Sequence, residues 1–158
     1  MKFTAIIAGG IGLLLFIQKY YQIIPDSNPE YENVYRLFAT ENVPAELLRS
    51  IAIVESGENE NSYNPNDPSY GLMQILWTGK NQLYVSGWPP QNTEELYVPS
   101  YNVKIGSQIL DWNIKTYGFF RGIVSYNNWS GRSGNVPLKS YEYFLKVFTT
   151  YLRLKNAN

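Results

Sequence analysis

A mainly α-helical domain is the fold class this chain predicts, and three observations carry that expectation. Apolar residues recur at helical spacing in several separate segments, no stretch alternates as a half-buried strand would, and no internal repeat is present. With 158 residues the chain can build one core of ordinary size, preceded here by a short appendage.

The appendage comes first. After Lys2 the run Phe3 to Ile17 is apolar or small and uncharged, and Tyr20, Tyr21, Ile23 and Ile24 follow Lys19 before Pro25. Counted to Ile24, the stretch reaches the about 20 residues that a membrane-spanning helix needs. A cleaved secretory signal competes with this reading, but no small-x-small cleavage site follows the apolar run. Residues 1–24 are therefore expected to form an N-terminal hydrophobic helix, either a transmembrane anchor or a signal-anchor segment. Gly9, Gly10 and Gly12 lower its hydropathy, so that it also resembles the signal-arrest-release segments of some phage lysis enzymes. Lys2 and the α-amino group favour a cytoplasmic N-terminus, which would place the domain outside the cytoplasm.

Residues 25–33 are polar and hold Pro25 and Pro29, as a linker would, and the domain is expected over 34–158. Tyr31, Val34, Tyr35 and Phe38 form a helical stripe around its start. A helix from Pro44 to Ser56 follows, with Leu47, Leu48, Ile51 and Ala52 on one face and Gly57 as its stop. Gly57 to Tyr70 is a long polar loop of the kind that often carries function. Leu72 to Leu83 reads as a helix interrupted near Gly79, and Gly87 to Gln91 as irregular. The most regular segment has Val103, Gly106, Ile109, Leu110, Asn113, Ile114 and Tyr117 on one face and ends at Gly118. A short buried helix over Gly122 to Asn128 and an amphipathic helix over Tyr141 to Leu154 complete the order.

Composition narrows the chemistry. Thirteen basic residues balance thirteen acidic ones, so no surplus of cations exists to neutralise phosphates and no nucleic-acid partner is expected. The chain has no Cys and no His, which removes disulfides, thiol nucleophiles, Ser-His triads and the commonest metal ligand; neither a metal site nor a cofactor is expected. Carboxylates, Tyr, Ser and amides remain. Glu55 is the candidate acid, because it lies at the end of the apolar face of the Pro44 to Ser56 helix. Burial beside that face and the negative end of the helix dipole both raise a carboxyl's pKa, and a carboxyl that keeps its proton can protonate a leaving oxygen. A solvated surface glutamate is the plainer reading of the same residue.

The order of short motifs resembles the lytic transglycosylase family, the goose-type-lysozyme-like group that cleaves peptidoglycan. Glu55-Ser56 looks like its Glu-Ser opening and Tyr63-Asn64-Pro65-Asn66 like its aromatic-x-Pro-Asn loop, while Gly71-Leu72-Met73-Gln74 matches its Gly-Leu-Met-Gln signature. Asn102, Gly106, Leu110, Tyr117 and Gly118 follow the pattern of the next helix, Tyr126-Asn127 its Tyr-Asn pair, and Tyr143 with Val147 its closing helix. The resemblance covers nearly everything from Pro44 to Tyr151. Two departures stand out: the segment between Ser56 and Tyr63 is longer than the family's, and Ser125, Asn128 and Trp129 replace small residues around the Tyr-Asn pair.

The resemblance implies a lysozyme-like helical domain and peptidoglycan glycan strands as substrate. It implies cleavage of the β-1,4 bond between N-acetylmuramic acid and N-acetylglucosamine with a 1,6-anhydro product. Glu55 would act as acid and then base, and Tyr126 would hydrogen-bond Glu55 to orient it. Gln74 and Asn127 would offer amides to the sugars and Met73 an apolar surface under a ring. Ser56 would bond near the cleaved oxygen or merely cap the loop, and Tyr143 would orient the acid or pack the last helix. A hydrolytic muramidase needs a second carboxylate about 5–10 Å from the first. Glu58, Glu60, Asp67 and Asp111 are the candidates, and Asp67 is the best of them although Asx beside Pro commonly closes turns. A non-catalytic wall-binding protein is a further alternative. Small size and the glycine-rich anchor point toward a phage enzyme, virion-associated or lytic, over a secretion or wall-remodelling one.

Overall fold

The computed structural model describes residues 24–79, 85–128, 132 and 135–157, and its architecture is helical with one very small sheet. The apolar segment 1–24 expected as an anchor lies outside the described residues except for Ile24. Among the described residues, no helix is long and apolar enough to cross a membrane.

Helix α1, Pro29–Phe38, takes in the second half of the expected linker, a correction with a local cause. Asn28 caps it by accepting the Glu30 amide at 2.9 Å, Pro29 sits at the first helical position, and Glu30 and Glu32 face the positive end of the dipole. Helix α2, Ala45–Ser56, starts one residue after Pro44 and ends at Gly57, whose φ of 67° is the left-handed stop that glycine adopts without strain. Its stripe of Leu47, Leu48, Ile51 and Ala52 is fully buried. Arg49 is nearly buried as well, and its guanidinium binds Glu32 at 2.8 Å, Glu58 at 3.2 Å and the Pro25 carbonyl at 2.9 Å. One cation thus ties α1, α2 and the loop after Glu55 together.

No strand was expected, yet three two-residue strands form: β1 (Tyr63–Asn64), β2 (Ser69–Tyr70) and β3 (Ile75–Leu76), antiparallel in that order. Tyr63 pairs with Tyr70, and Tyr70 with Ile75. This replaces the helix expected over Leu72 to Leu83, as far as residue 79; residues 80–84 are outside the description. The apolar run was misleading because Leu72, Met73 and Ile75 are all buried, a pattern that a short turn buried on every side shares with a helix. The turn's conformation is set by Gly71 and by a left-handed Gln74, with φ of 74° and 48°.

A 3-10 helix, Thr93–Tyr97, leads into α3, Pro99–Tyr117, which carries the predicted face and ends at Gly118. Helices α4, Phe119–Asn127, and α5, Leu138–Ala157, complete the fold, with α4 against α3 and α5 against α2. Gly122 allows the α3–α4 approach: a Cβ there would stand 2.7 Å from Ile114 Cα.

Asn102 of α3 is wholly buried and fully used. Its Nδ2 donates to the carbonyls of Tyr70 and Leu96, each at 2.7 Å, and its Oδ1 accepts the Met73 amide at 2.7 Å. Gly71 has to be glycine beside it, since a Cβ would lie 2.3 Å from the Leu96 oxygen and 2.4 Å from Asn102 Nδ2. Replacing Asn102 with Ala strands three backbone groups in the core. At about 1 kcal/mol or more for each stranded group, Asn102→Ala is expected to lower unfolding stability by about 3 kcal/mol in urea titration.

Candidate active site

A groove of about 490 Å³ runs between the small sheet and helices α3 and α4. Glu55 lines it at the end of α2, with Asn64, Asp67 and Ser69 from the sheet side, Gln74 to Leu76 from the turn and β3, and Ile109 from α3. Ser125 to Asn128 and Arg132 close the other side.

Glu55 is part-buried, and desolvation pushes its carboxyl from 4.5 up to about 7, opposed by a hydrogen bond from Tyr143. The Tyr143 hydroxyl donates to Glu55 Oε1 at 2.6 Å, a charge-assisted length, and the ring is held in the α2–α5 interface at 7% exposure. Burial and the facing carboxylate raise the phenol of Tyr143 well above its ordinary value, so it stays a donor. The tension is informative: burial keeps the proton on Glu55, while one short bond fixes its rotamer and steadies the anion left after the proton departs.

Tyr126 does not make the bond expected of it, and Tyr143 takes the first of the two roles held open for it, orienting the acid. Tyr126 donates to the Met73 carbonyl at 2.8 Å, and the bond to Glu55 comes from Tyr143. Tyr126 nonetheless lines the groove near the acid, and burial of its phenol, then the Glu55 charge, raise it well above its ordinary value. Met73 is corrected too. It is fully buried, with its sulfur beside Gly106, where a Cβ would lie 2.5 Å from Sδ, so it supports the groove from below and offers no surface to a sugar ring. Ser56 is the cap of the two readings held open for it: its Oγ lies 2.8 Å from the Leu72 carbonyl and 3.0 Å from that of Ala52, and it accepts the Asn59 amide at 3.1 Å. It staples the end of α2 to the turn and does not line the groove.

Gln74 and Asn127 do line it. Gln74 Nε2 donates to the carbonyls of Gly71 at 2.9 Å and Ser62 at 3.2 Å, which commits the amide's donor side to the protein. Asn127 is exposed, and its Oδ1 accepts Asn128 Nδ2 at 3.3 Å. Trp129, a departure of interest in the sequence, lies outside the described residues.

Of the other carboxylates, Glu58 is spent on Arg49 and on the Tyr35 hydroxyl at 3.0 Å, Glu60 accepts Tyr31 at 3.0 Å, and Asp111 binds Thr40 at 2.7 Å and Lys115. Asp67 lines the groove but is exposed, in the turn between β1 and β2. Among the described residues no cluster of three or more acidic side chains converges as a metal site requires. Arg132 escaped the sequence reading, because nothing local marks it; its guanidinium lies over Trp112 at 5.1 Å and donates to Asn113 Oδ1 at 3.2 Å, and the residue lines the groove.

A helical domain with a short antiparallel sheet and one protonatable glutamate at a helix end, facing a groove, defines the lysozyme-like class. The family model "Transglycosylase SLT domain" matches residues 34–143, and the chain belongs to that family. Among curated proteins it is 29% identical over 119 residues to Protein IpgF of Shigella flexneri, covering 72% of this chain and 74% of that one, and equally to Protein IpgF of Shigella sonnei. Among solved structures it shares its fold with the 70-kDa soluble lytic transglycosylase in complex with bulgecin A, at TM-score 0.66 and 21% identity over 81% of this chain. The soluble lytic transglycosylase Slt70 of Escherichia coli matches at TM-score 0.64 and 21% identity over 85%. The chain spans about a quarter of the length of those two structures, 25% in each.

Two measurements test the site. Glu55 titrates near 4.5 unfolded and about 7 folded, so its favourable protonated state holds below the first value and is lost as pH rises through the second. Glu55→Gln, which cannot ionise, is expected to gain on the parent between pH 5 and 8, by up to about 3 kcal/mol in urea titrations at about 1.4 kcal/mol per pH unit. Carbon NMR of the Glu55 carboxyl should show its pKa rising further in Tyr143→Phe, which loses the bond favouring the anion, and staying near that of the parent in Tyr126→Phe.

Proposed function

We propose that the protein is a peptidoglycan lytic transglycosylase, and the observation that carries this reading is Glu55: a carboxyl raised to about 7, oriented by Tyr143, facing a groove of sugar-binding size. Near neutral pH such a group is divided between acid and base, as a residue that must act as both requires. Glu55 protonates the glycosidic oxygen as its bond to C1 of N-acetylmuramic acid breaks. The 6-hydroxyl of the same sugar then forms the new bond to C1, and the Glu55 carboxylate takes its proton. The chain is cut without water, the product ends in 1,6-anhydromuramic acid, and the catalytic proton is restored.

A substrate that supplies its own nucleophile has no need of a second carboxylate. This fits a groove in which the other carboxylate, Asp67, is solvated and in a turn. Its presence there is also the specific observation favouring the runner-up, a hydrolytic muramidase in which Asp67 activates water. Family membership supports a glycan-cleaving enzyme over a non-catalytic wall binder, and Glu55 with its partner is intact. The apolar segment 3–24 would hold the catalytic domain at the outer face of the cytoplasmic membrane. A phage lysis or entry role rests on the small size and the glycine-rich segment alone.

Mass spectrometry of sacculi digested by the protein is expected to find anhydro ends, whereas reducing ends would establish the muramidase. Glu55→Gln should abolish release while wall binding persists; a variant digesting walls like the parent sinks the mechanism. Asp67→Asn is expected to lower turnover less than tenfold, against a loss of several orders of magnitude if it activates water. Removing residues 1–24 should move the protein from the membrane to the soluble fraction.

A further inference from the structure

The chain leaves α2 through two successive left-handed residues, Gly57 with φ of 67° and Glu58 with φ of 60°. Glycine adopts that conformation freely, whereas a residue with a side chain adopts it uncommonly and against strain. At Glu58 the strain is offset through the carboxylate, on a side chain only 5% exposed. Its Oε1 accepts the Tyr35 hydroxyl at 3.0 Å and Arg49 Nε at 3.2 Å, and its Oε2 accepts Arg49 Nη2 at 3.2 Å. Arg49 is oriented in turn by Glu32 at 2.8 Å and by the Pro25 carbonyl at 2.9 Å. What this clamp holds is the end of α2. The Glu58 amide donates to the Ala52 carbonyl at 3.3 Å and the Gly57 amide to that of Ile53 at 3.0 Å, closing the last turn around Glu55. Helix ends fray unless they are tied down, and the 2.6 Å bond from Tyr143 to Glu55 requires this one to stay wound.

We propose that Glu58 is a positioning residue for the catalytic acid: clamped by Arg49 and Tyr35, it keeps the last turn of α2 closed and holds Glu55 within reach of Tyr143. The proposal rests on the glycan-cleaving reading above and adds to it a second carboxylate with no part in the proton transfers. Glu58, Arg49 and Tyr35 are not among the residues that line the groove, so loss of the clamp lowers kcat and leaves KM nearly unchanged.

Glu58→Gly tests this, because glycine relieves the backbone strain while deleting the clamp; far-UV circular dichroism should match the parent's. On purified glycan strands its kcat is expected to fall about ten- to a hundredfold, the scale of a misplaced catalytic group, with KM within about twofold. Glu58→Gln, which keeps an acceptor oxygen for Tyr35 and Arg49, should recover most of that loss. Tyr35→Phe keeps the buried ring and removes one bond, so it should lose less kcat in the same direction, and it carries the test if the glycine variant does not fold. Carbon NMR reads the acid directly. In Glu58→Gly the Glu55 pKa should fall from about 7 toward 4.5 as water reaches the loosened carboxyl, since the phenols facing it, Tyr143 and Tyr126, stay neutral in this range. A folded Glu58→Gly with the parent's kcat and Glu55 pKa, or with its loss in KM alone, overturns the proposal. Should the parent release no muropeptides while the Glu55 titration moves in Glu58→Gly and not in Glu58→Gln, the cleavage reading fails and the positioning of Glu55 stands.

Discussion

One buried amide sets the geometry on which the groove depends. Asn102 reaches from the middle of α3 to the carbonyls on either side of the turn and to the Met73 amide inside it, satisfying three backbone groups that could find no water where they lie. The turn from Gly71 to Gln74 has no helix or long strand of its own to hold it, so Asn102 locks in place the shape that Gly71 and the left-handed Gln74 allow. Two further contacts extend that control. Tyr126 donates to the Met73 carbonyl and Ser56 reaches the Leu72 carbonyl, so α4 and the end of α2 are both registered against the turn. Glu55 is adjacent to Ser56 in the chain. Its position across the groove is thereby fixed by hydrogen bonds in which it takes no part.

The acid itself rests on a balance between two opposed effects. Desolvation is the larger and raises the pKa; the bond from Tyr143 is the smaller and lowers it. Were burial unopposed, the carboxyl would hold its proton too firmly to donate it readily, and were it solvated it would have none to give near neutral pH. The bond also supplies orientation, which burial alone does not, and it comes from α5, a helix 88 residues away in the chain. Around this pair the groove mixes amide and hydroxyl groups with Ile75, Leu76 and Ile109, the combination that an amphiphilic sugar face calls for.

Much of this was legible before the structure. The helix carrying Glu55 could be read from four apolar residues at helical spacing, and its end from a glycine that takes up the left-handed conformation. The long helix α3 was equally plain, down to Gly118. What misled were segments whose burial does not come from periodicity. Leu72 to Ile75 is apolar enough for a helix, but its burial comes from being enclosed on all sides, and its backbone bonds go to a side chain 29 residues away for Met73 and to neighbouring short strands. Pro29 reads as linker although Asn28 caps a helix that starts there, because two prolines and several polar residues look alike whether they flank a helix or begin one.

Residue types by themselves confined any chemistry here to carboxylates, Tyr, Ser and amides, since no Cys or His exists, and placed Glu55 at a helix end beside an apolar face. Which tyrosine orients that glutamate was decided only by the tertiary structure. Tyr126 and Tyr143 both bring a phenol near the acid, and nothing in the sequence around either distinguishes them. The packing of α5 on α2 brings Tyr143 to Glu55, while the turn held by Asn102 offers Tyr126 the Met73 carbonyl instead. A hydroxyl has a single proton to donate, and where it goes depends on which acceptor the fold places within reach.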